Sequence, residues 1–258
     1  MLEELENRLK DLGKVAVAFS GGIDSSFLLF VANKALQREN VLAIIANGQM
    51  VPRKDYAEAI EYLKENNFNY IAVEHDALST PEFKENHKDR CYYCKKTIMT
   101  KVIAIAKEHG FTNVLDGKNA DDVKVYRPGG KATKELGIIS PLEECNFGKK
   151  EIRKYSKELG IKFWNKPSNS CLATRFPYNT ILTNEGLEKV DKAEALIKEL
   201  GIPNTRFRVH DQIARIEVGK QYFEKIINNE KLVEDLKELG FKYITLDLSG
   251  LTSGNFDK

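Results

Sequence analysis

The sequence lacks several features that would place it in a specialised class of protein. Its 258 residues contain only four cysteines, and 40 lysines and arginines are almost balanced by 38 aspartates and glutamates. The formal net charge of +2 argues against bulk electrostatic capture of nucleic acid or of an anionic membrane. Internal repeats and low-complexity segments are missing. With 42% hydrophobic and 30% charged residues, the composition is typical of a globular protein and excludes disorder as the main state.

Long hydrophobic runs are also missing. The longest uninterrupted apolar stretch of the first helix candidate, from Phe27 to Ala32, is far shorter than the roughly 18 residues that a membrane span requires. The segment from Met1 to Leu5 is acidic and amphipathic, unlike a signal peptide. We therefore expect a cytoplasmic protein with no membrane partner, whose cysteines are free thiols or metal ligands in a reducing compartment.

Short apolar runs alternate with helical patterns through the first part of the chain. The runs have the length of buried strands: Val15–Phe19, Val41–Ala46, Tyr70–Val73 and Val114-Leu115. This alternation predicts βαβ crossovers and a parallel sheet, with helices at 53–65 and 94–108 and a loop-rich region at 116–148. Pro52 can open the first of these helices, where a missing N–H costs nothing. From Thr183 the pattern changes to helices with short strands. We predict an α/β domain over residues 1–180 and a smaller α+β domain over residues 181–258.

One predicted turn is rich in glycine and serine. A strand ends at Phe19, Ser20-Gly21-Gly22 follows, and a helix begins near Asp24. Glycines let backbone N–H groups converge, and a helix N-terminus adds unpaired donors and a partial positive charge, so a phosphate is favoured there. Ser25 and Ser26 would add hydroxyl donors, and Asp24 would fix the loop or bind Mg²⁺. The alternative is a plain turn whose Asp24 or Ser25 only caps the helix.

The string Ser20-Gly21-Gly22-Ile23-Asp24-Ser25 after a strand resembles the signature of the PP-loop ATP pyrophosphatases. Members of that superfamily cleave ATP to AMP and pyrophosphate and adenylate an oxygen atom of their substrate. The resemblance implies a PP-loop domain and an ATP site made of Ala18, Ser20, Gly21, Gly22, Asp24, Ser25, Ser26 and Asn119.

Two cysteines form a C-x-x-C motif, Cys91-Tyr92-Tyr93-Cys94. The spacing lets both sulfurs reach one metal or each other, which leaves zinc, redox and iron–sulfur chemistry open. A thioredoxin-like role is disfavoured because the pair does not follow the first strand of a suitable unit. Two thiolates need further ligands, and Cys171 is available. Cys145, beside a glycine-containing loop, is expected to be a small buried hydrophobe.

Cys171 lies between two positively charged residues, Lys166 and Arg175. Such charges favour the thiolate over the thiol. The alternative for Cys171 is again a small buried hydrophobe.

Polar side chains follow the strand that ends at Leu115. Asn119, Asp121 and Asp122 would lie at the carboxyl edge of the sheet, where open α/β sheets bind ligands. The alternative is an Asx-rich turn.

Basic side chains recur near the start of the smaller domain. In the segment Thr205 to His210, strand alternation puts Arg206, Arg208 and His210 on one side. Neighbouring guanidiniums repel unless an anion lies between them, so a substrate phosphate is favoured over a solvated strand face.

Several longer motifs resemble one family throughout the chain, the LarE sulfur transferases that make the nickel-pincer nucleotide cofactor. The motifs are Asp116–Asp122, Tyr126–Gly129, Ser140–Leu142, Lys149–Arg153, Lys166–Ser168, Cys171–Pro177 and Ala214–Val218. The resemblance implies adenylation of a pyridinium carboxylate of a mononucleotide with release of pyrophosphate. A sulfur nucleophile then displaces AMP and leaves a thiocarboxylate. Members of the family also assemble into oligomers, which implies a homo-oligomer.

The family has two branches that differ in the source of sulfur. In one branch a single cysteine, matching Cys171, gives up its own sulfur; in the other, three cysteines hold a [4Fe-4S] cluster that carries an extra sulfide. Because the C-x-x-C is present, this sequence resembles the cluster branch, with Cys91, Cys94 and Cys171 as ligands and an external sulfide donor. Three thiolates leave one iron of a cubane open for a hydrosulfide. A three-thiolate zinc site is the rival.

The resemblance also implies roles for individual side chains. Cys171, Asp24 and Asp121 would be catalytic with Mg²⁺, and substrate or phosphate contacts would come from Arg175, Arg206, Arg208 and Lys149. Without the family, Lys149 and Arg153 would be a solvated pair on one helix face. Val209 and Lys118 depart from the family pattern, where a histidine and a small polar residue are usual, which bears on the exact substrate.

Three other functions fit parts of the sequence. A transfer-RNA thiolating enzyme would need a basic face or an RNA-binding module, and the charge of +2 argues against it. An amide-forming ligase of the superfamily would leave the cysteines without a role. A nucleotide-sensing module would bind ATP or AMP without releasing pyrophosphate.

Overall fold

A computed structural model describes residues 1–124, 128–167 and 169–252. The chain forms two compact units. Unit 1 consists of Met1–Gly48, Asp55–Asp76 and Asp89–Asn169, and unit 2 of Gln49–Lys54, Ala77–Lys88 and Ser170–Lys258. Over the described ranges, no helix combines the length and the apolar character that crossing a bilayer requires.

The secondary structure follows the predicted alternation. The strands are β1 (Val15–Phe19), β2 (Val41–Asn47), β3 (Tyr70–Glu74), β4 (Asn113–Leu115), β5 (Thr205–His210), β6 (Ile213–Val218) and β7 (Tyr243–Leu246). The helices are α1 (Leu2–Leu12), α2 (Ile23–Ala35), α3 (Arg53–Glu65), α4 (Pro81–Lys84), α5 (Arg90–Glu108), α6 (Pro128–Glu135), α7 (Pro141–Glu144), α8 (Lys149–Glu158), α9 (Asn184–Glu199), α10 (Phe223–Ile227) and α11 (Glu230–Glu238).

Unit 1 contains a parallel sheet of strand order β3-β2-β1-β4, which confirms the predicted α/β class. Val15 of β1 pairs with Val41 of β2 on one side and with Asn113 of β4 on the other. The chain runs from β1 outward to β3 and then returns to the other side of β1 for β4. The switch point of this open sheet therefore lies between the carboxyl ends of β1 and β4, where such folds bind ligands.

Both faces of this sheet are covered, and β1 is accordingly apolar at every position. Val15, Val17 and Phe19 point into one core, which α1, α2 and α8 complete. Ala16 points to the opposite face, into a second core with Met99 of α5. A strand covered on both faces consists of a continuous apolar run, and β1 could therefore be predicted from the sequence.

Unit 2 contains a mixed sheet of order β5-β6-β7. Strands β5 and β6 are antiparallel, and β7 adds to β6 in parallel. Helix α9 begins after Thr183, whose hydroxyl oxygen accepts a hydrogen bond from the N–H of Gly186 and caps the helix. The rings of Phe207 and Phe241 meet edge to face in the core, with centroids 4.9 Å apart.

The structure differs from the sequence expectations in two places that affect the candidate sites. Helix α5 begins at Arg90 rather than 94, so both cysteines of the C-x-x-C lie within its first five residues. The segments Gln49–Lys54 and Ala77–Lys88, which precede residue 181 in the sequence, also belong to unit 2. There the buried side chain of Asn86 donates to the carbonyl oxygens of Phe176 and Pro177, and the N–H of Leu172 donates to the carbonyl of Met50.

Candidate functional site

The glycine-serine turn lies at the switch point of the unit 1 sheet. It joins β1 to α2, one residue after Phe19, and Ala18 precedes it inside β1. Gly22 is the N-cap residue of α2 and has no side chain with which to cap the helix. The first N–H groups of α2 are therefore available to an anion, as the sequence predicted for a phosphate.

The backbone of this turn requires glycine at one position. Gly21 has a φ of 71°, and a Cβ atom there would lie 2.5 Å from the Cβ of Ala59 in α3. A side chain at 21 would therefore be strained and would also push the turn away from α3.

We expect Gly21→Ala to weaken ATP binding at least about tenfold, because the loop must move to relieve the contact with Ala59. Gly13→Ala is the matched control: its φ is 70°, but a Cβ there meets nothing within 4 Å. That control should lose about 1 kcal/mol of unfolding free energy from the backbone alone and bind ATP normally. Calorimetric titration with ATP checks this; equal affinities in the two variants would contradict it.

The serine hydroxyls build a local network around the turn. The Oγ atoms of Ser20 and Ser25 lie 3.1 Å apart, and Ser25 Oγ also donates to the carbonyl of Gly22 at 3.1 Å. Two buried atoms among the described residues lack a hydrogen-bond partner here: Ser26 Oγ and Asp24 Oδ1. Because buried polar atoms are rarely left unpaired, these two atoms are suited to contacting a ligand bound at the loop.

The other carboxylate oxygen of Asp24 is occupied. Lys149, the first residue of α8, donates from Nζ to Asp24 Oδ2 at 2.5 Å. Beside the glycine-serine turn (the phosphate loop, Ser20 to Ser26), a lysine of α8 and a carboxylate are thus in contact, a set suited to phosphate and to Mg²⁺ respectively. Arg153, one turn along α8, instead donates to the carbonyls of Trp164 and Lys166.

The segment after β4 forms the second wall of the site. A Cβ on Gly117 would lie 2.8 Å from the backbone nitrogen of Ser25, so this segment approaches the phosphate loop closely. Asp116 is buried and accepts from Ser140 Oγ at 2.8 Å and from the N–H of Lys118 at 3.1 Å. The glycine permits the approach, and the aspartate fixes the turn that follows.

The predicted polar residues of this segment hydrogen-bond with the backbone. Asn119 is buried and its Oδ1 accepts from the N–H of Asp121. Asp121 Oδ2 accepts from the N–H of Lys149 at 2.8 Å, at the start of α8, and Asp122 Oδ2 accepts from the N–H of Asn119. The Asx-turn alternative thus describes part of their role, and the catalytic role of Asp121 stays a prediction.

The C-x-x-C lies at the N-terminal end of α5, within its first five residues. Cys91 is exposed and Cys94 is buried, and residues three apart are neighbours on a helix. Sγ of Cys94 lies 3.8 Å from Nε2 of His75, which directly follows β3 and is 2% exposed. Burial, together with the positive charge of Lys101, lowers the pKa of His75. His75 was not among the residues predicted from the sequence. It nevertheless lies at the carboxyl edge of the sheet, where Asn119 was expected.

A neighbouring lysine adds a second perturbed group. Burial lowers the pKa of Lys95, against the attraction of Asp116 and Cys94. In the described part of the chain, no group of three or more His, Cys, Asp or Glu side chains is arranged to hold a metal ion. Soft thiolates are nevertheless the donors that iron–sulfur clusters require, so Cys91 and Cys94 suit that group chemically. The complete cluster remains a prediction.

Cys171 belongs to unit 2, where it is the N-cap of a short 3-10 helix, Leu172–Arg175. Arg175 is fully buried, and its Nη1 donates to the carbonyl of Cys171 at 3.2 Å and to that of Ser170 at 2.9 Å. Its other nitrogens donate to the carboxylate of Glu194 at 2.7 and 2.9 Å. Arg175 therefore holds the backbone of the cysteine segment, and its charge is met by a glutamate that the sequence did not indicate.

The other flanking cation is also paired. In unit 1, Lys166 Nζ lies 2.8 Å from a carboxylate oxygen of Glu58 and 3.3 Å from one of Asp55. The expectation that Lys166 and Arg175 add a net positive field at Cys171 is thus weakened, because both charges have carboxylate partners.

The predicted arginine pair of β5 lies beside a second buried glutamate. Arg208 Nε is 3.2 Å from Glu217 Oε1, and both side chains are almost fully buried. Arg206 donates from Nη1 to the carbonyl of Thr205, and burial and the neighbouring Arg175 lower its pKa. The counter-charge of Arg208 is thus supplied by the protein, and a phosphate site on this strand stays a prediction.

The remaining sequence expectations concern Cys145 and two motifs. Cys145 packs in the core of unit 1, as predicted, and burial raises the pKa of its thiol. Tyr126 and Arg127 of one motif, and Ser168 of another, lie outside the described residues.

Comparisons with known proteins show the family to which the chain belongs. A family model for NAD synthase matches residues 3–102, which contain the phosphate loop. A pyridinium-3,5-bisthiocarboxylic acid mononucleotide synthase of Lactiplantibacillus plantarum is 39% identical over 250 residues, covering 96% of this chain and 91% of that protein. Two uncharacterised proteins are also similar over nearly their whole length. The one from Synechocystis is 34% identical and spans 100% of this chain and 97% of its own. The one from Methanocaldococcus jannaschii is 31% identical, and the match covers 96% of this chain and 95% of that protein. At this identity and coverage the chain belongs to the LarE family, the ATP-using sulfur transferases built on a PP-loop domain.

Proposed function

We propose that this chain adenylates a carboxylate of a pyridinium mononucleotide and replaces one carboxylate oxygen by sulfur, giving a thiocarboxylate. The observation that carries the proposal is the phosphate loop at the switch point, with Ser26 Oγ and Asp24 Oδ1 buried and unpaired among the described residues. The name of the Lactiplantibacillus relative, a bisthiocarboxylic acid mononucleotide synthase, supports the substrate class.

The first half of the reaction uses the residues of unit 1. A substrate carboxylate oxygen attacks the α-phosphorus of ATP, and the bond to pyrophosphate breaks. Negative charge gathers on the phosphoryl oxygens, so the N–H groups of α2, the serine hydroxyls and Lys149 stabilise the transition state. Asp24 would hold Mg²⁺ through the oxygen that has no protein partner.

The second half forms the carbon–sulfur bond. A sulfur nucleophile attacks the acyl carbon of the adenylate, and the carbon–oxygen bond to AMP breaks. When bound by Cys91, Cys94 and Cys171, a [4Fe-4S] cluster would supply that sulfur from an external sulfide donor. Arg175 keeps the backbone at Cys171 fixed, and the arginines of β5 are our proposed contacts for the substrate phosphate. A homo-oligomer is part of the same proposal.

The test is exchange of labelled pyrophosphate into ATP, measured with and without a pyridinium carboxylate mononucleotide. We expect exchange to depend on the mononucleotide and to fall by about a hundredfold in Asp24→Asn, which loses the carboxylate for Mg²⁺. The control is Asp11→Asn, an exposed carboxylate on α1. Exchange that ignores the mononucleotide, or that survives in Asp24→Asn, would contradict the proposal.

A further inference from the structure

One histidine of unit 1 has no role in the reaction described above, although it touches a predicted cluster ligand. His75 follows β3 directly. Its backbone N–H donates to the carbonyl of Asn47 at 2.7 Å, which fixes the backbone at this residue. Its ring is 2% exposed, and Nε2 lies 3.8 Å from Sγ of Cys94. Hydrogen bonds to sulfur are longer than those to oxygen, so this distance is within hydrogen-bonding range.

We propose that His75 is a positioning residue whose Nε2–H donates a hydrogen bond to Sγ of Cys94, orienting this thiolate and raising the reduction potential of the cluster it would hold. The inference rests on the proposed function for the cluster itself. Hydrogen bonds to cluster sulfurs stabilise the more negative, reduced state, and they are one of the means by which proteins set such potentials.

The direction of the hydrogen bond follows from the other ring nitrogen. Nδ1 of His75 is buried and has no hydrogen-bond partner among the described residues. If Nδ1 carried the proton, a buried N–H donor would be unpaired, which folded proteins strongly avoid. The geometry therefore places the ring proton on Nε2, the nitrogen that faces the sulfur. Cys94 is then the acceptor.

The test compares the wild type with two variants purified without oxygen. His75→Leu keeps the volume but removes the donor, whereas His75→Gln retains an N–H donor near the position of Nε2. At the wild-type midpoint potential, the ratio of reduced to oxidised cluster should fall about tenfold in His75→Leu, a shift of 59 mV for a one-electron couple. In His75→Gln the ratio should stay within about twofold. Redox titration followed by electron paramagnetic resonance measures both, and His109→Gln, at the far end of α5, is the control.

A second readout keeps the inference testable without the cluster. Long-range ¹H–¹⁵N NMR of the iron-free wild type should show the His75 ring protonated on Nε2. An unchanged potential in His75→Leu, or a proton on Nδ1, would overturn the inference. If His75→Leu fails to fold, the NMR spectrum decides alone, because an unchanged potential in His75→Gln is expected with or without the hydrogen bond. A wild type that binds no iron would instead refute the cluster in the proposed function, and the NMR result would still stand.

Discussion

Replacing Cys171 by serine is expected to abolish sulfur transfer while the release of pyrophosphate from ATP continues. The proposed adenylation uses the phosphate loop of unit 1 and involves no sulfur atom, whereas Cys171 belongs to unit 2, so we expect release of pyrophosphate to survive. A hydroxyl is a much weaker ligand for iron and a much weaker nucleophile than a thiolate. We expect formation of thiocarboxylate to fall by at least about a hundredfold, because a direct ligand should matter more than the outer-shell groups, whose loss costs 10–100-fold. Mass spectrometry of the product and a pyrophosphate assay on the same samples measure both steps.

Cys145→Ala is the control for this prediction, because Cys145 packs in the core of unit 1 and is outside the proposed machinery. It should retain both steps. An amide-forming ligase, the alternative that the sequence left open, predicts the reverse: Cys171→Ser would keep full turnover with ammonia as the nucleophile. That outcome would refute a role for Cys171 in sulfur transfer.

Arg175→Met should be among the most destabilising substitutions in unit 2. The guanidinium of Arg175 and the carboxylate of Glu194 are 0% and 1% exposed and share two hydrogen bonds. Removing the arginine leaves a buried carboxylate whose remaining hydrogen-bond partner, among the residues that the structure describes, is the N–H of Phe207. Breaking one side of a buried ion pair costs about 3–5 kcal/mol of unfolding free energy. Urea unfolding followed by circular dichroism measures it.

Two further variants separate pairing from burial. Arg175→Met combined with Glu194→Leu should recover much of the lost stability, because no unpaired charge remains. Lys189→Met removes an exposed partner of Glu185 within α9 and should change little. A single variant Arg175→Met that unfolds at the wild-type urea concentration would show that the pair does not stabilise the unit.

The sequence was informative where structure is set by neighbouring residues. Strand β1 was predicted correctly from Val15 to Phe19, because a strand covered on both faces of a sheet is apolar at every position. Helix α3 was predicted correctly from Arg53 to Glu65, with Pro52 as its start signal. The phosphate loop was located for the same reason: its glycines, its strand and its helix are contiguous in the chain.

The sequence was uninformative where the partner is distant. Glu194 reads as an ordinary helix glutamate, and only folding shows that it neutralises Arg175, 19 residues earlier. The contact of His75 with Cys94 likewise joins the end of β3 to the start of α5, which are distant from each other in the sequence. Composition cannot reveal which of many carboxylates meets which arginine, since the choice depends on tertiary packing.

The assignment of segments to units shows the same limit. The segments 49–54 and 77–88 lie within the predicted first domain, yet they belong to unit 2. They are held there by backbone hydrogen bonds such as that from Leu172 to Met50, which leave no trace in hydrophobic periodicity. A single boundary in the sequence divides most of unit 1 from most of unit 2. It cannot describe a chain that passes from one unit into the other and back.

The account depends on a sulfur atom reaching an activated carboxylate without consuming the protein. The most direct measurement incubates the iron-reconstituted chain without oxygen, with ATP, Mg²⁺, a pyridinium biscarboxylate mononucleotide and isotopically labelled sulfide. We predict labelled thiocarboxylate in several turnovers per chain, with one AMP and one pyrophosphate released per sulfur inserted and Cys171 intact. Unlabelled product limited to one sulfur per chain, with Cys171 converted to dehydroalanine, would contradict it.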